Sequence, residues 1–154
     1  MSVDIRWRTF ADLSAVDLYR ALMLRQTVFV VEQNCPYLDA DGLDVVGIHG
    51  LGQSQTGSLI AVARLLPPGT RFALPSIGRI AIAKQARGRG YGRQIVAEAV
   101  VETERRYPDA PIQISAQAHL EGFYRSFGFV HAGDPFDEDG IPHIAMIRGA
   151  RRDR

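Results

Sequence analysis

Cysteine is nearly absent. Cys35 is the only one in 154 residues, which excludes an intramolecular disulfide and any zinc site built from several thiolates. No apolar run approaches the roughly 20 residues of a membrane-spanning helix. The opening MSVDIRWRTF mixes charges and lacks the apolar centre of a signal peptide, so a cytoplasmic location is expected. Excess charge of one sign is missing as well: 18 basic and 17 acidic residues leave +1, and the bulk balance gives no reason to expect nucleic acid. Internal repeats, low-complexity tracts and linkers are absent. What remains, 46% hydrophobic and 23% charged, is the composition of an ordinary globular chain. Its length suits one domain, expected over 1–150, with a frayed basic tail at 151–154.

The most informative stretch is SIGRIAIAKQARGRGYG, residues 76–92. A short apolar run, Ile77 to Ala83, leads into glycines at 88, 90 and 92, and a helical pattern begins at once. A helix mouth of this kind is an anion site: glycine lets the backbone approach a ligand, and the first helical N–H groups have no partner inside the helix. Arg87, Arg89 and Arg93 add full charges, so a pyrophosphate-bearing ligand is expected. The spacing excludes two familiar binders. A dinucleotide fingerprint needs G-x-G-x-x-G, and a P-loop needs a lysine after its glycines; neither is present.

Elsewhere, VDIRWR at 3–8 alternates as a half-buried strand, and Ser14 caps a helix expected from about 15 to 31. The acidic segment LDADGLD, 38–44, is too incomplete for a calcium loop and reads either as a solvated turn or as the acidic rim of a pocket. Strands follow at 45–51 and 58–66, then the strand at 77–83. The helix opening near Gly90 buries Ile95, Val96, Ala99, Val100 and Thr103 on one face, with Gln94, Glu98, Glu102 and Arg105 opposite. It crosses over to a short strand, 112–115, which must therefore run parallel to the strand before the glycines. A second short helix spans about 119–126, then a strand restarts at Phe129-Val130. The acidic loop DPFDEDG precedes a last strand at 141–147.

This order of elements, with R-G-R-G-Y-G and F-Y-R-S-F-G-F as landmarks, resembles the GCN5-related N-acetyltransferase (GNAT) superfamily. V-F-V-V-E-Q-N-C-P-Y and D-G-I-P-H-I-A-M look more narrowly like its ElaA-like branch. The resemblance implies an α/β (α+β) acyl-CoA N-acyltransferase fold: a mixed, mostly antiparallel central sheet with a splayed parallel pair and helices on both faces. It also implies acetyl-CoA as co-substrate, with backbone groups of Ile80, Ala81 and Ile82 facing the acyl-pantetheine arm. Amides of Arg87, Gly88, Arg89, Gly90, Tyr91, Gly92 and Arg93 would hold the pyrophosphate. Gln117 stands where the family often has an asparagine contacting the pantetheine; His119 is a second candidate for that contact.

Transfer from a thioester to an amine imposes two proton requirements. A lysine-like amine, with a pKa of about 10.4, is almost entirely charged at neutral pH, so either a group must take a proton or the site must depress the amine's pKa by desolvation. At the other end the leaving thiolate benefits from a donor. Tyr124 stands where the family places that donor, although its position in an apolar stripe also suits simple packing. Glu32 and His143 are the candidates for the amine end, as proton acceptor or substrate contact. Each has an ordinary alternative, a helix-end surface glutamate and a satisfied core histidine. Cys35, ahead of a proline, reads as inert rather than as an acyl carrier.

The expected activity is direct transfer of acetyl to a primary amine without a covalent enzyme intermediate. The alternative is a catalytically silent acyl-CoA-binding sensor. Partner expectations are a small-molecule or protein amine, no nucleic acid, no membrane and no metal, with a homodimer left open.

Overall fold

The computed structural model describes residues 2–151. The basic tail expected at 151–154 lies, beyond Arg151, outside the described residues. Eight strands form one sheet: β1 Asp4–Thr9, β2 Ile48–Gln53, β3 Leu59–Leu66, β4 Ser76–Ile82, β5 Ile112–Gln117, β6 Val130–His131, β7 Phe136–Glu138 and β8 Ile141–Arg148. Their order is β1-β2-β3-β4-β5-β8-β6, with β7 also on β8. Every pairing is antiparallel except β4 with β5.

Helices cover both faces. Helix α1, Ala15–Arg25, begins at Ser14, whose Oγ accepts from the Asp17 N–H at 3.0 Å. It packs Ala21 and Leu24 against Leu51, Ile60 and Val62. Helix α2, Tyr91–Arg106, lies on the other face, where Ile95 meets Ala61 and Ala63 while Ala99 and Val100 meet Ile112, Ile114 and Met146. Consecutive β3 residues thus serve opposite layers, as the two-residue period of a strand requires. On β2, Gly50 is the only residue type that fits, because a Cβ there would come within 2.5 Å of the Trp7 indole.

Three sequence expectations need correction. The helix expected to 31 stops as an α-helix at Arg25 and continues as a π-helical turn, Gln26–Glu32, in which the wider winding shifts every later side chain around the axis. Gln94, expected on the solvent face of α2, instead clasps the start of β1, accepting from the Val3 N–H at 3.0 Å and donating to its carbonyl at 2.8 Å. The segment 38–44 is neither a solvated turn nor a pocket rim. Asp39 and Asp44 are buried, and with Asp41 they face Arg25, Arg64 and Arg79 at distances of 2.8 to 3.3 Å. Three carboxylates against three guanidinium groups leave no net charge, the condition under which buried ions are tolerated.

The network acts on β4. Arg64↔Gly78 and Val62↔Ala81 are both partners in the β3–β4 ladder, so β4 has one residue too many between them, a bulge. Arg79 absorbs it in the left-handed region, φ 50°. In consequence Ile77 and Ile80, three apart, both reach the α2 side, and Arg79 turns toward Asp39.

Candidate active site

Strand β5 pairs with β4 only at Ser76↔Gln113, with the Gln113 N–H also reaching Pro75 O at 3.0 Å. Beyond that point β4 continues to Ile82 and β5 to Gln117 without a shared ladder. The strands diverge, and the gap opens into a cleft of about 120 Å³. Its walls include Gly78, Arg79 and Ile80 from β4, Ser115 and Gln117 from β5, and Tyr124 from the short helix α3, Glu121–Arg125. Gln33, Tyr37, Glu138 and His143 line it as well.

Tyr124 packs edge-on against Phe123 and Phe129, with ring centroids 5.1 and 6.2 Å away. The packing reading of this residue is therefore correct as far as it goes. Its hydroxyl, however, has no hydrogen-bond partner among the described residues. Burial pushes its pKa up to about 12, so the group is a retained O–H at neutral pH. Gln117 and His143 are directly opposite one another in the β5–β8 register, both on this cleft, whereas His119 is exposed and does not line it.

The glycine loop lies at the mouth of α2. Gly88 and Gly90 have φ of 80° and 83°, and a Cβ at either would meet nothing within 4 Å, so the backbone is bare on that side. The first α2 hydrogen bond is Gln94 N–H to Gly90 O at 3.1 Å, which leaves the N–H groups of Tyr91, Gly92 and Arg93 without intrahelical acceptors. These fit an anion. The arginines contribute unequally. Arg87 spends its N–H on Lys84 O and its guanidinium on Glu32 and the Ile82 carbonyl. Arg93 lies over Phe123 and Phe127 and donates to Ser126 Oγ at 2.9 Å. Arg89 alone of the three has no side-chain partner among the described residues. The Tyr91 ring is core, 7% exposed.

Glu32 and Tyr124 do not share a cavity. The π turn places Phe29 and Gln33, four apart, on the cleft, and Glu32 falls around the axis into a separate groove with Arg20, Thr27 and Lys84. Its Oε1 accepts from Arg87 Nη2 at 2.7 Å. Of Ile80, Ala81 and Ile82, whose backbone groups are expected to face the acyl arm, Ile80 lines the cleft, while the Ala81 side chain is core and the Ile82 carbonyl accepts from Arg87 Nε at 3.0 Å.

Glu138, Ser115, Tyr37 and Arg79 were not anticipated at the site. For Glu138 a signal existed, the Asp139-Gly140 pair. Both residues have positive φ, 53° and 80°, the two-residue hairpin turn that this dipeptide favours, and it sets Phe136 opposite His143. Among the described residues no group of three or more His, Cys, Asp or Glu converges on a metal site, and no helix is long and apolar enough to cross a membrane.

Known proteins resemble this chain in sequence and fold. A domain family described as "Acetyltransferase (GNAT) domain" matches residues 48–148. A UPF0039 protein of Synechocystis is 50% identical over 96% of each chain, and the protein ElaA of Escherichia coli is 42% identical over 94% of this chain and 96% of its own. The crystal structure of an acyl-CoA N-acyltransferase from Pseudomonas aeruginosa superposes with a TM-score of 0.90 at 42% identity, covering 96% of this chain and 99% of that one. That of E. coli ElaA superposes at 0.88, with 39% identity, over 95% and 99%. The chain therefore belongs to the GNAT acetyltransferase family, acyltransferases that bind acyl-CoA and act on amines.

Proposed function

We propose that this protein moves an acetyl group from acetyl-CoA to a primary amine by direct attack within a ternary complex. The observation that carries the reading is the divergence of β4 from β5 after a single paired position, with the unpartnered Tyr124 hydroxyl on the wall of the gap. Acetyl-CoA would supply an activated acyl thioester. Free amides of Gly88 to Arg93 and the Arg89 side chain would hold its pyrophosphate, while Ile80 and Gln117 would line the path of the arm. This chain needs no acyl carrier of its own: the buried Cys35 thiol donates to the Asp139 carbonyl at 3.1 Å and serves the wall of the cleft.

Tyr124 contributes at the sulfur. A free thiol has a pKa near about 8.5, well below the value of about 12 for this hydroxyl, so the tyrosine remains the protonated partner. It acts by donating a hydrogen bond to the departing thiolate, because full transfer would be uphill. Glu32 has a different task from the one its sequence position suggests. It is the counter-ion that holds Arg87 beside the loop.

Thermal denaturation with and without acetyl-CoA, followed by thiol release on an amine panel, tests the proposal. A raised Tm and amine-dependent CoA release are expected. A protein indifferent to millimolar acetyl-CoA would refute it, and a raised Tm with no amine turnover would favour the silent sensor.

A further inference from the structure

We infer that His143 takes the proton from the acceptor amine, with Glu138 as the residue that positions it; the assignment rests on reading this cleft as an amine acetyltransferase site. His143 is on β8, 7% exposed, and its Nδ1 is 2.7 Å from the Ile141 carbonyl. A carbonyl only accepts, so the ring hydrogen is on Nδ1 and the lone pair of the neutral ring is on Nε2. Nε2 in turn lies 3.3 Å from Glu138 Oε2, a second acceptor. That contact is at ion-pair distance but out of hydrogen-bond alignment, so the carboxylate favours a positive charge on the ring without engaging the Nε2 lone pair.

The rest of the surroundings holds that geometry. Arg71 Nη2 donates to the other oxygen of Glu138, which fixes the carboxylate plane. Phe136 stacks on the imidazole, with centroids 6.0 Å apart and planes inclined by 29°. Gln117, opposite His143 on β5, is uncharged. The other charged or titratable groups on the cleft are Arg71, Arg79, Asp139, Tyr37, Cys35 and Tyr124. Arg79 is neutralised by Asp39 and Asp41, and the Cys35 thiol is engaged with the Asp139 carbonyl. Only the His143 and Glu138 pair presents an imidazole lone pair beside a carboxylate on this wall.

The proton balance follows. An ammonium acceptor gives one proton to His143 Nε2, and the resulting imidazolium keeps its Nδ1 hydrogen on Ile141 O while its charge is balanced by the Glu138 carboxylate. The neutral nitrogen forms the new C–N bond as the C–S bond breaks. A second proton leaves that nitrogen and ends on the sulfur, and the one on Nε2 returns to solvent.

The test compares ethylamine with trifluoroethylamine, whose fluorines make it far less basic, as acceptors for wild type, His143→Gln and Glu138→Gln. With ethylamine at neutral pH, His143→Gln is expected to lose about 100-fold in kcat/KM, against less than about 10-fold with trifluoroethylamine, which is already neutral. Glu138→Gln, at a half-buried site, should lose less and flatten the acidic limb of the pH profile, while the acetyl-CoA-induced rise in Tm persists in both variants. Nitrogen-15 NMR of the free protein should show the neutral ring with hydrogen on Nδ1 and Nε2 bare. Equal losses with both amines, an unchanged pH profile, or hydrogen resident on Nε2 with Nδ1 bare would overturn the assignment while leaving the acetyltransferase reading intact. A wild-type protein that binds acetyl-CoA but releases CoA with neither amine would overturn it too; failure to bind acetyl-CoA would instead remove the reading beneath it.

Discussion

Arg79 Nε and Asp39 Oδ1 are 2.8 Å apart, yet the N–H is not aimed at the oxygen, and neither atom has another hydrogen-bond partner among the described residues. The contact is an ion pair held out of hydrogen-bond alignment, at the one strand residue among the described residues that occupies the left-handed region. Arg79 also lines the cleft beside Ile80, so the network of buried charge and the path proposed for the acyl arm meet at this residue.

That relationship ranks two substitutions. Asp39→Asn removes a carboxylate shared by Arg25 and Arg79, leaving Arg25 with Asp44 alone, Arg79 with Asp41 alone and two carboxylates against three guanidinium groups, and is expected to cost about 3–5 kcal/mol, as for breaking a buried pair. Arg79→Gly leaves Asp39 still paired with Arg25 at 2.8 Å and relieves the left-handed backbone, so it should cost less, about 1–3 kcal/mol. Urea denaturation measures both. The reverse order would mean that Arg79, not the carboxylate, is the centre of the network.

At Gly90 space and backbone conformation can be separated. A Cβ there would touch nothing within 4 Å, but φ is 83°. Gly90→Ala should therefore cost about 1 kcal/mol in stability from the left-handed backbone alone and still bind acetyl-CoA. Gly90→Glu sets a carboxylate beside the free amides and is expected to abolish the acetyl-CoA shift in Tm. Retention of that shift would place the pyrophosphate elsewhere.

Tyr124→Phe keeps the edge-on contacts with Phe123 and Phe129 and removes only an unpartnered hydroxyl. Stability and acetyl-CoA binding should be unchanged, and kcat should fall about 100-fold. Full turnover by the variant would refute the role proposed at the sulfur.

Much of this was legible in the residues, and what was not has a physical reason. Ile95, Val96, Ala99 and Val100 recur at helical spacing and are 0, 1, 0 and 5% exposed, because an amphipathic helix announces its buried face through period alone. The glycine loop is equally plain, since positive φ restricts residue type. Charged residues carry no such signal when they are buried together. Arg25 meets Asp39 across 14 positions and Arg79 meets the Asp39 carbonyl across 40, so LDADGLD reads as surface until the fold brings its partners in. The placement of Glu32 off the cleft was hidden for a related reason: an α-helical period continued through Gln26–Glu32 would not show the offset that the π turn introduces. The acidic density of DPFDEDG hides β7 in the same way, although Asp139-Gly140 marks its turn.

Glu32→Gln distinguishes a counter-ion from a proton acceptor. The pair with Arg87 is partly exposed, 26% and 43%, so its loss should change stability by less than about 1 kcal/mol. Freed from Glu32, Arg87 can turn to the phosphates, and the KM for acetyl-CoA should fall or hold while kcat stays within about 3-fold. A loss of about 100-fold in kcat would restore Glu32 to the reacting amine.

Acid should unfold this protein through the Asp41 and Asp44 carboxylates. Burial alone would raise both pKa values, but hydrogen bonds and charge outweigh it: Arg64, the Leu43 amide and Arg79 hold Asp41 well below the carboxylate range, and Arg25 and Arg64 hold Asp44 down. For a carboxyl whose folded pKa is depressed, the stabilisation is fully present above its unfolded value, here 3.8, and is lost as pH falls from there toward the folded pKa. The Tm should therefore change little from pH 7 to 5 on account of these groups and drop steeply below about pH 4. Asp41→Asn removes one of the two titrations at the outset, so its Tm should start lower at pH 7 and fall less between pH 4 and 3. If instead wild type and variant lost Tm in parallel over that interval, the acid sensitivity would lie in other carboxylates and the network would be no more than a set of fixed charges.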